Sequence, residues 1–364
     1  MKSKIILGDL HFGIKRFSES FYKNQLSFFE KQLFPYMEKN KITEIIQLGD
    51  IFDNRVTIDI KFLNLIDNFF NKLKEKNITF YTLLGNHDIY YRNSREVSLI
   101  DFFAKKYDNI ILFKEKTLID FERERCLFVP WLTKGENLTE DEIKNVDFIF
   151  GHFEIRNFQI MPGIVDKDSE LTEDFFENGK AVKNVFSGHY HIKSMSKIVE
   201  YVGTPYQLNW GDFKDFKGFY VWDGIDTDFI ENKISKKFVK IEIFKDKFVV
   251  KGLQKEDEYF NIKDFKTIIK EIEQNNFIKI IEKENNPDVK VVLSEEKIDV
   301  PILKEVSFKD IENAKHLDDI ANSGNTEKII LNIIKNYDEN LVKYYNNLLQ
   351  KVKKEFEWNL NQLE

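Results

Sequence analysis

One local pattern recurs five times in the first 191 residues, and it restricts the fold more than any other feature. In each copy a short apolar run ends, a glycine follows, and the next side chain is one that can bind a metal. The copies are Leu7-Gly8-Asp9-Leu10-His11, Leu48-Gly49-Asp50-Ile51-Phe52-Asp53, Leu84-Gly85-Asn86-His87-Asp88, Phe150-Gly151-His152 and Ser187-Gly188-His189-Tyr190-His191. Glycine permits a sharp turn and a close approach of the backbone to a bound group. Because open α/β sheets bind ligands at the carboxyl ends of their strands, we expect these five ends to form one polar cluster.

The residue types in this cluster predict a metal site. Five of the six histidines lie in the motifs, and only His316 lies elsewhere. A single histidine of this kind is more often structural, but five in one kind of setting are poorly explained by chance. Imidazole, carboxylate and amide donors without thiolate suit Mn²⁺, Fe²⁺ or Zn²⁺, and there is too much imidazole for Ca²⁺. The donors outnumber the ligands of one ion, so we expect two ions that share a carboxylate.

Composition excludes several classes of protein. The chain has 364 residues, 42% of them hydrophobic, which is enough for two domains with a buried core. Its net charge of −7 argues against holding a nucleic acid by bulk positive charge. No apolar run approaches the roughly 20 residues of a membrane span, and Ile5–Leu7 is too short for a signal-peptide core. With Cys126 as its single cysteine, the chain fits a reducing compartment, and we expect a cytoplasmic protein.

The order of apolar runs predicts an α/β fold for residues 1–223. Strand-length runs occur at Lys4–Leu7, Glu44–Leu48, Thr79–Leu84, Ile110–Phe113, Leu127–Val129, Phe148–Phe150, Val185–Phe186, Ile198–Val202 and Phe219–Trp222. Helical stretches lie between the early runs, at Ser18–Glu38 (with a kink at Pro35), Ile58–Lys76 and Arg95–Tyr107. This alternation is typical of α/β layers. The later runs are too close together for intervening helices, so we expect part of the sheet to be antiparallel.

The pattern changes after Asp223, where the turn-rich segment 224–228 indicates a domain boundary. Beyond it the sequence predicts a hairpin of Phe238–Phe244 and Lys247–Val250, a helix over Ile262–Glu282, a strand at Val289–Leu293 and an amphipathic helical segment over Thr326–Leu360. The amphipathic segment fits either its own domain or a partner protein.

In this order the five motifs resemble those of the calcineurin-like metallophosphoesterases. Within that superfamily the chain is most similar to the SbcD-like nuclease subunits of double-strand-break repair complexes, and above all to the phage-type recombination endonuclease subunits. The narrower likeness rests on Gly49–Arg55, Val129-Pro130-Trp131, Gly203-Thr204-Pro205 and Gly218-Phe219, and it covers about residues 1–223. It implies a four-layer α/β/β/α sandwich with a small α+β capping domain and a C-terminal helix. The implied domains are a nuclease domain at 1–228, a capping, DNA-recognition domain at 229–322 and a helical segment at 323–364 that binds an ATPase.

The resemblance also implies a role for each motif residue. One ion would be held by Asp9, His11, Asp50 and His191, and the other by Asp50, Asn86, His152 and His189, with Asp50 as the bridge. His87 would stabilise or protonate the leaving oxygen while Asp88 orients its ring, and a hydroxide held by the metals would attack phosphorus in line.

Three further residues are candidates for substrate binding. Asp53 stands where cellular relatives often carry histidine, and it either contacts substrate or caps the following segment. Arg55 either contacts DNA phosphates or is simply solvated. Thr204 either lies in a loop that closes over the site or in a plain turn. We expect Trp131 to be a core residue rather than a platform for base stacking.

For the whole protein, the resemblance implies a Mn²⁺-dependent 3′–5′ exonuclease on duplex DNA ends, with endonuclease action on single strands. Its implied partners are an SMC-like coiled-coil ATPase and a second copy of the nuclease domain, and the compartment is the host cytoplasm if a phage encodes it. The surplus apolar residues of Ile58–Lys76 and Val97–Phe103 suit that dimer, although a wide core stripe is an equal alternative.

Two other functions compete with this hypothesis. A metallophosphatase or small-molecule phosphodiesterase of the same superfamily would use the same metals. Protein phosphatases usually carry Asp-Arg-Gly and Asn-His-Glu where this chain has Asp53-Asn54-Arg55 and Asn86-His87-Asp88, which disfavours that branch. A metal-free scaffold would require lost ligands, and none is lost.

Overall fold

A computed structural model describes residues 2–161, 163–179, 181–298, 300 and 302–304 of the chain. The chain divides into two compact units, Met1–Leu303 and Lys304–Glu364. The predicted C-terminal segment at 323–364 and the end of the predicted capping domain lie outside the described residues. Among the helices that are described, none is long and apolar enough to cross a membrane.

Three sheets organise the described residues. The first has six strands in the order Thr227–Glu231, Gly218–Trp222, Lys4–Leu7, Glu44–Gln47, Thr79–Leu83 and Ile110–Phe113. The second has six in the order Ser194–Met195, Val199–Tyr201, Asn184–Gly188, Phe148–His152, Glu124–Val129 and Thr117–Phe121. The third has five in the order Glu258–Asn261, Lys247–Lys251, Phe238–Ile243, Phe277–Glu282 and Ile302–Lys304. Two hairpins, Ile89–Tyr91 with Ser94–Ser98 and Gln159–Met161 with Ile164–Val165, lie outside these sheets.

The longest described helix, Ile60–Glu75, has 16 residues. The α-helices are Ile14–Phe17, Glu19–Phe28, Phe34–Asn40, Ile60–Glu75, Leu99–Lys106, Glu140–Ile143, Glu173–Glu177, Phe265–Asn275 and Pro287–Glu295. A π-helical turn, Phe29–Leu33, joins the second and third of them, and Pro35 lies in the first turn of the third. Short 3₁₀ turns occur at Trp210–Asp212 and Ile262–Asp264.

Alternating side chains on the strands create the layers. Ile5 and Ile45 pack towards the helices over the first sheet, whereas Ile6 and Ile46 belong to the apolar core between the two six-stranded sheets. On the other face of the second sheet, Leu127 contributes to a third core. Successive strand residues point to opposite faces, so one run of apolar residues serves two cores. The predicted four-layer α/β/β/α arrangement is confirmed, including its mixture of parallel and antiparallel strands.

The third sheet corrects two sequence-based predictions. The predicted helix Ile262–Glu282 ends at Asn275, and Phe277–Glu282 is instead a strand that pairs in parallel with Phe238–Ile243. The predicted strand Val289–Leu293 lies in the helix Pro287–Glu295, where both of its end residues are buried in the core of this domain. Residues four apart share one face of a helix, and proline is well suited to the first helical turn.

A third correction concerns the predicted helix Arg95–Tyr107. Its first part forms the strand Ser94–Ser98, and the helix begins at Leu99. Arg95 is buried in this strand and pairs with Glu136 and Glu115, an arrangement that requires partners distant in sequence. The predicted division between residues 228 and 229 stays a prediction; the strand Thr227–Glu231 runs across that point.

Candidate metal centre

The five motifs meet at one end of the two central sheets. Asp9, Asp50 and Asn86 follow neighbouring parallel strands of the first sheet, and His152 ends a strand of the second sheet that pairs with Asn184–Gly188. In that pair Gly188 lies opposite His152, so His189 emerges beside it. The carboxyl ends of both sheets therefore contribute to the same cluster, as the sequence predicts.

The motif glycines are required by the closeness of these strand ends. A Cβ atom on Gly85 would lie 2.1 Å from Asp50 Oδ1, and one on Gly188 would lie 2.5 Å from Asp9 Oδ1. Three candidate ligands adopt left-handed backbone conformations: His11 with φ 45°, Asp50 with φ 53° and His189 with φ 85°. Residues other than glycine rarely adopt such conformations, and those that do are concentrated at functional sites.

One group of donors comprises Asp9, His11 and His191. The Nε2 atoms of the two histidines lie 3.0 Å apart. Asp9 Oδ2 lies 3.9 Å from His11 Nε2 and 3.6 Å from His191 Nε2. Each residue directs one donor atom to a common point, which is the arrangement that a metal ion requires.

A second group comprises Asn86, His152 and His189, and Asp50 lies between the two groups. Asn86 Oδ1 is 3.0 Å from both His152 Nε2 and His189 Nδ1. Asp50 Oδ2 is 3.5 Å from His152 Nε2 and 3.8 Å from His11 Nε2 of the first group. Two adjoining donor groups that share one carboxylate match the expected geometry of a two-metal site.

Hydrogen bonds outside the cluster fix the orientation of two rings. His152 Nδ1 lies 2.7 Å from the carbonyl oxygen of Leu48, which leaves Nε2 directed at Asp50. His189 Nε2 lies 3.2 Å from Glu154 Oε1, which leaves Nδ1 directed at Asn86. Metal-binding histidines usually donate their second ring N–H to a carbonyl or carboxylate in this way.

Burial and charge in the centre shift several pKa values. Burial raises the pKa of the Asp9 carboxyl. Burial also acts to raise the pKa of Asp50, but the charges of His152, His11 and His87 outweigh it and lower that pKa. Burial would lower the pKa of His152, yet the Asp50 carboxylate raises it to about 9. The buried carboxylates thus attract positive charge, and the seven nitrogen and oxygen donors are suited to divalent cations.

His87 lies beside the centre and not within either group. Its backbone N–H donates to Asp50 Oδ1 at 2.8 Å, its ring centre is 5.0 Å from that of His11, and the residue is half-buried. Its Nδ1 lies 2.7 Å from the backbone carbonyl of Asp53, which leaves Nε2 as the ring nitrogen outside that contact. Asp53 also brings its carboxylate to 3.5 Å from His11 Nδ1.

The predicted orienting role of Asp88 needs correction. Its carboxylate accepts hydrogen bonds from the backbone N–H groups of Gly85 and Phe52, at 2.9 and 3.2 Å. Burial raises the pKa of Asp88 to about 7, and the nearby Asp50 adds to that effect. Asp88 therefore ties the second and third motif loops together, while the Asp53 carbonyl makes the contact that orients the His87 ring.

The other two candidates for substrate contact occupy different environments. Arg55 is half-buried, and it makes no hydrogen bond or ion pair with another described residue. Thr204 is 1% exposed, and its N–H donates to the carbonyl oxygen of His191. Thr204 thus holds the backbone of His191, a candidate metal ligand, in place.

Three residues at the centre lie outside the predicted site: two were missed by the sequence-based prediction, and one was assigned to the core. Glu154 orients His189, and its only signal is its position two residues after His152. Lys217 is buried, pairs with Asp212 and Asp215, and donates to the His191 carbonyl at 2.5 Å; no local pattern marks it.

Trp131 is the third. Its ring centre lies 5.0 Å from that of His189 and 5.9 Å from that of His152. The residue packs partly on the core over the first sheet, in line with the predicted core role, but it is only half-buried.

Comparison with known proteins agrees with this geometry. Residues 4–193 match the family model described as "Calcineurin-like phosphoesterase". "Exonuclease subunit 1" of Enterobacteria phage T4 is 35% identical over 231 residues, which are 62% of this chain and 66% of the relative. "Putative phosphoesterase 078R" of Invertebrate iridescent virus 3 is 26% identical over 220 residues, which are 57% of this chain and 59% of that relative. The matched segments therefore span less than two thirds of each relative, 66% of the first and 59% of the second.

Proposed function

Because the chain belongs to the calcineurin-like phosphoesterase family, we propose that it is a metal-dependent DNA nuclease that hydrolyses phosphodiester bonds. The observation that carries this proposal is the position of Asp50 between two convergent groups of donors. The substrate class is supported by the likeness to a phage protein named "Exonuclease subunit 1". We further propose the 3′–5′ direction on duplex ends and an additional endonuclease activity on single strands.

Two sets of side chains that share Asp50 would each hold one metal ion at the centre. Asp9, His11, Asp50 and His191 would hold one divalent ion, and Asp50, Asn86, His152 and His189 the other. These donors suit Mn²⁺, Fe²⁺ or Zn²⁺, and we propose Mn²⁺ because the family resemblance implies it. Such ions supply an activated water and neutralise charge on the phosphate. They would also offset the buried carboxylates, so that an acidic protein can attract a polyanion locally.

His87 would act on the leaving group. The Asp53 carbonyl holds a proton on His87 Nδ1, and Nε2 is then free to face a phosphate ester oxygen. A ring held in this way can donate a hydrogen bond or a proton to the departing oxygen. Asp53 and Arg55 lie in the same loop, and we propose that they contact the DNA strand next to the cleaved bond.

The proposal extends to assembly. Exposed apolar side chains occur on the hairpin and helix after the third motif, among them Tyr91, Val97 and Phe102, and Ile60 is also exposed. We propose that these residues form a homodimer contact, since exposed apolar patches often mark interfaces. We also propose that residues 229–322 cap the nuclease domain and that residues 323–364 bind an SMC-like ATPase subunit.

A digestion assay tests the proposed activity. Linear duplex DNA carrying a label on either the 3′ or the 5′ end is incubated with the full chain and Mn²⁺, Mg²⁺ or chelator. We expect digestion with Mn²⁺, early release of the 3′ label, and loss of activity in Asp50→Asn and His87→Ala. Asp246→Asn, in an exposed turn of the third sheet, is the matched control and should remain active. Intact DNA together with hydrolysis of bis(p-nitrophenyl) phosphate would contradict the nuclease and favour the small-molecule phosphodiesterase.

A further inference from the structure

A cavity of about 430 Å³ opens beside the candidate metal centre. Its walls include Trp131, Leu132, Leu171 and Phe175, and Glu154 and Glu170 lie among its polar lining. The volume is in the range of sites that receive small molecules, and its mixture of apolar walls and a few polar groups is typical of them. Of the proposed metal ligands only His152 lines this cavity, so most of its lining is available to a different occupant.

The cavity is continuous with the metal centre. His152 contributes to its lining and is also a candidate ligand. Glu154, which contacts His189 at 3.2 Å, lines it as well, and Trp131 faces both histidine rings. A group attached to a phosphate at the centre could therefore enter the cavity without leaving the metals.

The lining favours a flat, uncharged ring over a second phosphate. Glu154 and Glu170 are both exposed to solvent and would repel an anion. Their oxygens can accept hydrogen bonds from amino groups, while Trp131 offers a face for stacking. Aliphatic side chains complete the walls. A nucleobase that carries an exocyclic amino group combines these features.

We propose that this cavity binds the unstacked nucleobase adjacent to the cleaved phosphate, with Trp131 as its stacking surface and Glu170 as an acceptor for its amino group. The proposal rests on the proposed nuclease function and names the part of the substrate that the site reads. A base can enter only after it leaves the duplex stack, and that step costs least at a frayed end or in a single strand. The cavity therefore favours cleavage at such positions and favours cytosine over thymine.

Paired substrates test the proposal through digestion kinetics. One single-stranded oligonucleotide has cytosine beside a single cleavable phosphate, and its match has an abasic site there. We expect the native chain to cut the first with a kcat/KM about tenfold higher than the second. Trp131→Ala should remove that difference, and Trp131→Phe should keep most of it. Ile225→Ala, at an exposed apolar residue between the strands Gly218–Trp222 and Thr227–Glu231, is the control and should behave like the native chain.

Glu170→Gln tests the acceptor. It should reduce the preference for cytosine over thymine and leave cleavage of the abasic substrate unchanged. Equal cleavage of the cytosine and abasic substrates by the native chain would overturn the proposed cavity while leaving the nuclease intact. An equal loss on both substrates in Trp131→Ala would also overturn it, because Trp131 would then act only on the metal centre.

A binding measurement separates this inference from the proposed activity. Quenching of tryptophan fluorescence by deoxycytidine monophosphate is compared with quenching by deoxyribose 5-phosphate in the Mn²⁺-loaded chain. We expect the nucleotide alone to quench, and the signal to disappear in Trp131→Phe. If this result were found for a chain that does not digest DNA, it would support base binding in the cavity and contradict the proposed nuclease activity. Equal responses to both compounds would reject the cavity.

Discussion

The end of the two central sheets and the third sheet are both built from strands and their connections, but they bury different kinds of side chain. In the third sheet and its helices, Val239, Ile241 and Ile280 enter one apolar core, and most charged residues of the described range 238–298 are partly or fully exposed. At the end of the central sheets, by contrast, carboxylates and imidazoles are buried together. Asp9 and Asp50 are 1% and 2% exposed.

The two regions differ in which side chains they bury. The third sheet follows the usual pattern, in which apolar side chains form the core and charged ones face solvent. The end of the two central sheets departs from this pattern, because it contains buried charged groups and left-handed backbone at His11, Asp50 and His189. Stable proteins tolerate such conflicts mainly where function requires them. The comparison therefore favours the candidate metal centre as the functional part, and substitutions that are harmless in one region should be costly in the other.

The largest effect is expected from removing the shared carboxylate. Asp50→Asn keeps the size of the side chain but removes the charge that lies between both donor groups. We expect nuclease activity to fall by a factor on the order of a hundred to a thousand, measured as the rate of Mn²⁺-dependent DNA digestion. The third-sheet counterpart, Asp246→Asn, should retain its rate, and comparable losses in the two variants would erase the contrast between the regions.

Gly85→Ala tests how tightly the strand ends are packed. The added methyl group would lie 2.1 Å from Asp50 Oδ1, so the third motif loop must move. We expect a loss of about 1–3 kcal/mol in the free energy of unfolding, together with weaker Mn²⁺ binding by calorimetry. Gly135→Ala meets no atom within 4 Å and should leave Mn²⁺ binding unchanged. Normal Mn²⁺ affinity in Gly85→Ala would show that the ends are not held this closely.

Glu154→Gln tests whether the orientation of His189 matters. The substitution removes the negative charge that faces His189 Nε2 and retains the shape of the side chain. We expect Mn²⁺ affinity to fall by about 10- to 100-fold, as measured by calorimetric titration. Glu256→Gln, at an exposed position after the third-sheet strand Lys247–Lys251, is the control. Unchanged affinity in Glu154→Gln would mean that His189 needs no partner.

The smallest effect is a pH dependence of stability. Burial would raise the pKa of Asp166, but hydrogen bonds from Ser169 and Tyr190 and from backbone N–H groups lower it to about 2. A carboxyl with a lowered pKa stabilises the fold above its ordinary pKa of 3.8, and that contribution is lost as the pH falls towards 2. We expect it to amount to about 1 kcal/mol or less, because solvent screens part of the interaction.

Chemical denaturation of the native chain and of Asp166→Asn between pH 6 and pH 2 measures this contribution. The stability difference between the two proteins should shrink as the pH falls. A constant difference over that range would show that the Asp166 carboxylate carries no such dependence. Because Tyr190 lies between His189 and His191, the same network connects the stability of this loop to the centre.

The two regions also differ in how far the sequence predicts them. At the central end, each motif combines an apolar run, a glycine and a ligand type, and these features predicted both the strands and the meeting of Asp9, Asp50 and His152. In the third sheet the signal is weaker, since Phe277–Glu282 and Val289–Leu293 are short apolar runs that suit either a strand or a helix. The first run is a strand because it pairs in parallel with Phe238–Ile243. The second is helical because Pro287 begins a helix in which Val289 and Leu293 share the buried face.

What the sequence could not predict are contacts between distant residues. Lys217 reaches the carbonyl of His191 because the strand that follows it, Gly218–Trp222, neighbours Lys4–Leu7 in the first sheet. Glu154 meets His189 across two strands, and the Asp53 carbonyl replaces Asp88 as the partner of His87. Such contacts depend on the register of the sheets, which no local pattern encodes.

Anomalous diffraction from crystals of the full chain grown with Mn²⁺ tests the central claim most directly. We predict two peaks about 3.5–4 Å apart, with the Asp50 carboxylate between them, one peak beside His11 and His191 and the other beside Asn86, His152 and His189. A single peak, or peaks that do not share Asp50, would contradict the two-metal centre.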